Sequence, residues 1–206
     1  MQPLRVQGFD IYKGWLDLAA QQALAASLRD VVRAAPMVHQ ETPGGRKMSV
    51  KMTSAGALGW TSDRKGYRYA PQHPAGTDRP EIPEPILAVW RDLVSADRLP
   101  ESCLVNFYGE GAKMGLHVDD TEGDVDWPVL SISLGDEAMF RMGGLERSDP
   151  TRSIWLQSGD IVIMGGAARL AYHGIDRIKF RSSTLLPKGG RLNITLRAVA
   201  RDRRPT

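Results

Sequence analysis

The 206-residue chain has one cysteine, four histidines and no apolar run of the roughly 18 residues that a membrane-crossing helix needs. A single thiol, Cys103, excludes an intrachain disulfide and a thiolate zinc cage, and it fits a reducing compartment. Its setting, "SCLVNF", reads as an apolar strand, so a buried inert thiol is expected rather than a nucleophile. The opening "MQPLRVQGFD" lacks the apolar segment of a secretory leader, and a cytoplasmic location is expected. Internal repeats and low-complexity segments are absent too. What is there, 42% hydrophobic and 25% charged residues, suits one globular domain with a well-buried core.

The net charge of +3 is unevenly spread. Between Glu41 and Tyr69, six bases (Arg46, Lys47, Lys51, Arg64, Lys65, Arg68) face only Glu41 and Asp63, and the final "RAVARDRRPT" adds four arginines against one aspartate. Such surfaces point toward a polyanion, with a solvated loop face as the plainer alternative. Asp17 to Ala34 is expected to be a helix, capped by Asp17, with Leu24, Leu28, Val31, Val32 and Ala35 at helical spacing and Pro36 beyond its end. A second helix is expected over Pro83–Ala96, with Ile86, Leu87, Trp90 and Leu93 on one face. From Leu104 onward, short apolar or alternating runs separated by turns give eight expected strands: a sandwich, barrel or jelly roll. The fold class expected is mainly β with flanking helices, in a single domain of residues 1–206. Its parts are an N-terminal strand and helix (1–37), an irregular segment (38–80), a second helix (81–101), a β core (102–200) and a basic tail (201–206). Residues 38–80 mix glycines, bases, aromatics and methionines. Only "KMSVKMT" alternates there, as a strand of an edge hairpin, and the aromatics argue for function over disorder.

The chemistry centres on "LHVDD". A His-x-Asp pair such as His117 and Asp119 is weak alone, since chance supplies one in roughly 30% of comparable chains. His173 in "RLAYHGI", at the end of another β run, completes a two-histidine, one-carboxylate set. Neutral imidazoles suit Fe(II), the carboxylate offsets its charge, and ligands on one face leave coordination positions open; zinc accepts the same donors. On a strand His117 and Asp119 share a side, while Asp120 points away into a solvated turn. A second strand, "RLNITLR", puts Arg191, Asn193, Thr195 and Arg197 on one face and Leu192, Ile194 and Leu196 on the other. Two arginines backed by apolar side chains call for an anion, and a dicarboxylate beside the metal answers both guanidinium forks. An arginine pair on a basic edge strand is the plainer alternative.

With "TPGG", "MSVKMT", "LGWTSDRKGYRY", "NFYGEGAKMGLHVDD", "SLGDEAMFRMGG", "SGDIVIMGG", "RLAYHGI" and "RLNITLR", the chain from about Pro36 to Ala198 resembles the AlkB family of Fe(II)- and 2-oxoglutarate-dependent dioxygenases. The resemblance implies a double-stranded β-helix (jelly-roll) core with an N-terminal helical buttress. It implies iron on His117, Asp119 and His173, and 2-oxoglutarate on Asn106, Tyr108, Arg191, Asn193 and Arg197. Arg191 then pairs with the distal carboxylate, and Arg197 lies nearer the chelating end. Residues 38–80 become a nucleotide-recognition lid in which Trp60 stacks on a flipped base, with Tyr67 and Tyr69 nearby. Taken alone, Trp60 is a packing residue under a loop. Arg147 matches a substrate-contacting arginine. Thr121 stands where the family's bacterial representative has an acidic residue contacting the base, with Asp120 and Glu122 expected to point elsewhere. The implied reaction is oxidative dealkylation of N-alkylated bases, of the 1-methyladenine and 3-methylcytosine type, in single- or double-stranded DNA and in RNA. Fe(II), O₂ and 2-oxoglutarate are used, releasing aldehyde, succinate and CO₂. A monomer is expected, with His39 and His73 as bystanders. The rival readings are the same chemistry on a tRNA base, a protein side chain or a small molecule, a non-catalytic nucleic-acid-binding module, and a zinc cupin.

Overall fold

Asp17 caps helix α1 (Leu18–Ala34), its carboxylate accepting from the Ala20 amide at 2.8 Å. The helix stops at Ala35, ahead of Pro36, and buries Leu24, Ala25, Leu28 and Val31. Helix α2 (Glu84–Leu93) is shorter than the expected 83–96, because Ser95 Oγ gathers the Asp97 and Arg98 amides into a turn. It buries Ile86, Val89 and Trp90. These elements belong to a computed structural model that describes residues 1–200; the basic stretch 201–206 lies outside the described residues.

The strands are β1 (Leu4–Val6), β2 (Phe9–Tyr12), β3 (Val38–Glu41), β4 (Lys47–Ala55), β5 (Gly59–Asp63), β6 (Gly66–Ala70), β7 (Ser102–Tyr108), β8 (Met114–His117), β9 (Val129–Gly135), β10 (Glu137–Met142), β11 (Arg152–Leu156), β12 (Ile161–Met164), β13 (His173–Lys179) and β14 (Arg191–Arg197). Eight of them form one antiparallel sheet in the order β1-β2-β12-β9-β14-β7-β4-β3, and four form a second, β11-β10-β13-β8. The sheets face each other as a jelly roll: Phe9, Ile11, Met52, Leu104 and Tyr108 of the first meet Phe140, Met142, Leu156 and Ile175 of the second. The outer face of the large sheet lies under the helices, with Leu24, Leu28, Ile86 and Trp90 against Cys103, Val105, Ile132, Ile194 and Leu196. Burying both faces turns β14 into a strand without an exposed residue. Its leucines and isoleucine meet the helices, while Arg191, Asn193, Thr195 and Arg197 face the space between the sheets.

Two boundaries differ from expectation. The 38–80 segment divides: β3 and β4 pair with each other, and β4 joins the large sheet beside β7, with β3 at its edge. Only β5 and β6 form a separate two-stranded hairpin. The apolar alternation of "VKMTSA" carries β4 into the core, where Val50 and Met52 are each 2% exposed. Likewise "RLAY" is not strand. Gly165 and Gly166 break the chain into a 3-10 turn (Gly166–Ala168), so His173 opens β13 rather than ending a strand.

Candidate active site

Strands β8 and β13 set His117 directly opposite His173. The strands approach closely because residue 174 is glycine: a Cβ there would lie 2.7 Å from the Met114 carbonyl oxygen. The imidazole centroids are 4.5 Å apart. Each Nδ1 faces a backbone carbonyl, His117 that of Gly115 at 2.9 Å and His173 that of Ala171 at 3.0 Å. Donation there leaves both Nε2 lone pairs free, 3.9 Å from Oδ1 and Oδ2 of Asp119 respectively. Asp119 itself lies beyond the end of β8, not on it. Arg169 holds its backbone, donating to the Asp119 carbonyl at 2.6 Å, and Arg197 Nη2 holds its carboxylate at 2.6 Å.

One ligand atom from each of the three residues lies within 4.8 Å of the others, two nitrogens and one oxygen. That donor set suits Fe(II) and leaves coordination positions free. Burial, reinforced by His117, pulls His173 down to about 4, so it is neutral and able to ligate at pH 7. Burial opposes ionisation of Asp119, but Arg197 and then the two histidines outweigh it and hold the carboxyl well below its ordinary range.

Beside the triad, β7, β9 and β14 line up Asn106, Asn193 and Ser133 in register. Asn193 Nδ2 donates to Ser131 Oγ at 2.7 Å, and Arg191 Nη2 to Ser133 Oγ at 2.9 Å. Arg191 is 1% exposed, sits over the Tyr108 ring at 5.3 Å, and has no protein partner on Nε or Nη1. Asn106 Oδ1 and Arg197 Nη1 also lack one. Buried guanidinium hydrogens without acceptors are costly, and a small dicarboxylate placed between them supplies the missing oxygens. Tyr108, its phenol pushed up to about 12 by burial, stays a neutral hydroxyl.

Triad and arginines share one cavity of about 930 Å³, which extends to the β5–β6 hairpin. There Trp60 and Tyr67 stack, centroids 5.5 Å apart and planes 19° off parallel. Thr121 lines the cavity, and exposed Arg46, Lys47, Lys113 and Arg147 rim it. Arg147 is steadied by donation to the Leu116 carbonyl at 3.0 Å and by the Tyr172 ring. The bases do not act as one patch: Arg68 pairs with Asp63 at 2.7 Å, and Lys51, Arg64 and Lys65 lie off the cavity.

Tyr69 and Asp120 depart from expectation. Tyr69 does not line the cavity; its hydroxyl donates to Glu122 Oε1 at 2.6 Å. Glu122 points away from the cavity, as expected, but into the protein: it is 7% exposed and lies 3.2 Å from Arg169 Nη2 and 3.0 Å from Arg197 Nε. Its carboxylate turns inward because two buried guanidinium groups demand it. Asp120 is exposed, yet it lines the cavity, where it was expected to point away. Neither His39 nor His73 lines the cavity, yet His73 is buried, with Nε2 near Thr53 Oγ1 and Nδ1 accepting from the Ala75 amide. Sequence reasoning also passed over Ser131, Ser133 and Arg169. The serines were legible, since "VLSISLG" alternates as "RLNITLR" does; Arg169 sits in no periodic pattern.

An oxygenase with a histidine–carboxylate metal centre and an arginine-bound acidic co-substrate is what this fold and site define. The family model described as the 2OG-Fe(II) oxygenase superfamily matches residues 8–197. The chain is 52% identical to the "Alpha-ketoglutarate-dependent dioxygenase AlkB homolog" of Caulobacter vibrioides, over 93% of this chain and 88% of that one. Against the "Alpha-ketoglutarate-dependent dioxygenase AlkB" of Escherichia coli it is 41% identical, over 78% and 76%. The solved structure of OsALKBH1 superposes with a TM-score of 0.82 at 28% identity, over 96% of this chain and 99% of that one. The protein belongs to the AlkB family of 2-oxoglutarate-dependent dioxygenases, and its cofactor and co-substrates are Fe(II), 2-oxoglutarate and O₂.

Proposed function

We propose that the protein removes alkyl groups from ring nitrogens of bases in DNA, with RNA as a further substrate. The observation that carries this reading is the Trp60–Tyr67 stack on the same cavity as the His117–Asp119–His173 triad, under a rim of Arg46, Lys47, Lys113 and Arg147. An extruded base loses its stacking neighbours, and an aromatic face returns part of that energy. Exposed cations at the mouth suit the phosphates on either side. A small-molecule substrate needs neither feature.

Iron and 2-oxoglutarate, when bound, supply the oxidising power that places an oxygen atom on the N-alkyl carbon. The residues of the chain bind and orient. His117, Asp119 and His173 hold the metal; Arg191, Asn106, Tyr108 and Asn193 hold the distal half of 2-oxoglutarate, and Arg197 lies toward the metal end. Trp60 and Tyr67 fix the base plane, Thr121 and Arg147 contact the nucleotide, and the β5–β6 hairpin acts as the lid. The hydroxylated product loses aldehyde without a protein base, and none is needed: Cys103 is buried and far from ionised at pH 7, its thiol pushed up to about 12. We place the enzyme in the cytoplasm as a monomer; no described helix is long and apolar enough to cross a membrane.

The test is incubation with Fe(II), ascorbate, 2-oxoglutarate and oligonucleotides carrying 1-methyladenine or 3-methylcytosine, followed by mass spectrometry. Each methyl removed should lower the mass by one CH₂, and His117→Ala or omission of 2-oxoglutarate should abolish the change. Succinate release with the methylated bases intact would refute the repair reading and leave the oxygenase chemistry standing.

A further inference from the structure

Between the metal triad and the β5–β6 hairpin runs a continuous buried polar chain. Tyr69, on β6, donates its hydroxyl to Glu122 Oε1 at 2.6 Å. The same oxygen is 3.0 Å from Arg197 Nε, an ion pair whose N–H is not aligned as a hydrogen bond. Arg197 Nη2 in turn donates to Asp119 Oδ2 at 2.6 Å. Arg169 braces the other side, reaching Glu122 Oε2 at 3.2 Å, the Asp119 carbonyl at 2.6 Å and the Trp127 carbonyl at 2.8 Å. Two carboxylates and two guanidinium groups thus neutralise one another, with side chains at most 12% exposed. The hairpin's other side-chain anchors to the large sheet are on the opposite edge: the Ser62 amide donates to Gln40 Oε1 and Ser62 Oγ to the Glu41 carbonyl, both at 2.5 Å.

Resting on the reading of the triad as a metal centre and the hairpin as the base-recognition element, we propose that Tyr69 and Glu122 are positioning residues that couple the seating of the hairpin to the Asp119 carboxylate. Glu122 Oε1 serves both the Tyr69 hydroxyl and Arg197. With Tyr69 docked, that oxygen is satisfied from two sides and the Arg197 guanidinium is fixed with Nη2 on Asp119 Oδ2. The carboxylate is then held between the two imidazoles before a metal arrives. Withdrawal of Tyr69 leaves Glu122 one donor short in a dry site, so its pull on Arg197 strengthens at the expense of Asp119. Burial, aided by Glu122, drives the Tyr69 phenol far above its usual range, which keeps it a donor throughout. Nucleic acid that settles the hairpin therefore tightens metal binding, and metal tightens nucleic-acid binding by the same factor.

The experiment is a linked titration on the full chain. Co(II), followed by its visible absorption, is titrated into metal-free protein in saturating 2-oxoglutarate, with and without a single-stranded oligonucleotide containing 1-methyladenine. The oligonucleotide is titrated by fluorescence anisotropy with and without Co(II). Wild type should show the same mutual tightening in both directions, about fivefold. Tyr69→Phe, which deletes one oxygen and keeps the ring, should bring that factor close to one while each ligand still binds alone and thermal unfolding stays cooperative. Glu122→Gln should lose the coupling in the same way. Full coupling in Tyr69→Phe, or none in wild type with both individual affinities intact, would overturn the proposal alone. Failure of wild type to bind Co(II) or the oligonucleotide at all would overturn the underlying site reading with it.

Discussion

Replacing Arg191 by methionine should move stability and co-substrate affinity in opposite directions. Arg191 is 1% exposed and has one hydrogen bond, to Ser133 Oγ at 2.9 Å, with Nε and Nη1 unpartnered. No carboxylate of the described residues lies within ion-pair distance of it. Burial lowers its pKa, the sign of a cation held at a cost. Methionine keeps most of the apolar stem against Tyr108 and removes the charge. The ligand-free variant should therefore be as stable as wild type or more so, by up to about 2 kcal/mol, where a buried large side chain normally loses stability on change. Affinity for 2-oxoglutarate should fall by about 3 kcal/mol, on the order of 100-fold, because the distal carboxylate loses a charge-assisted partner. Denaturant unfolding reads both effects. At 2-oxoglutarate one hundred times the wild-type Kd, wild type gains about 2.7 kcal/mol and the variant about 0.4 kcal/mol. A variant that is several kcal/mol less stable alone, yet equally stabilised by 2-oxoglutarate, would refute the assignment of this side chain to the ligand.

Trp60→Ala should impair demethylation of an alkylated oligonucleotide far more than substrate-free 2-oxoglutarate turnover; equal losses in steady-state assays would make Trp60 a packing residue. Ile194→Ala, at a fully buried position of β14 against the helices, should cost about 2–5 kcal/mol in equilibrium unfolding. Chelation of the metal should stop succinate production while the far-ultraviolet circular dichroism stays unchanged, since the triad strands are held by backbone pairing. Cys103 gives a pH dependence: burial raises its thiol from 9.0 to about 12, so between those values the unfolded chain ionises and the folded one does not. The unfolded state then binds fewer protons, and stability should fall with rising pH in that window by up to about 1.4 kcal/mol per unit. Cys103→Ala should lack that component in unfolding titrations across the same pH range.

What the sequence determined by itself is what depends on local period and residue type. The period-two pattern of "RLNITLR" put both arginines on one face and the helix-packing residues on the other, because a strand alternates whatever its neighbours are. Asp17 announced the start of α1 through an interaction three residues long, and the triad residues were legible as donor types that suit one metal. Tertiary structure decided the rest. That His117 meets His173 follows from the β8–β13 register, which pairs segments 56 positions apart; Gly174, next to His173, leaves the room, but its purpose shows only once β8 lies against it. Asp119 reaches the site after its strand has ended, held by Arg169 and Arg197 rather than by alternation. Tyr69 leaves the cavity, and Glu122 turns into the protein rather than toward solvent, because in a dry interior the need to pair two buried guanidinium groups outweighs local preference. Periodicity travels with the chain, whereas charge compensation is settled only once distant segments are packed together.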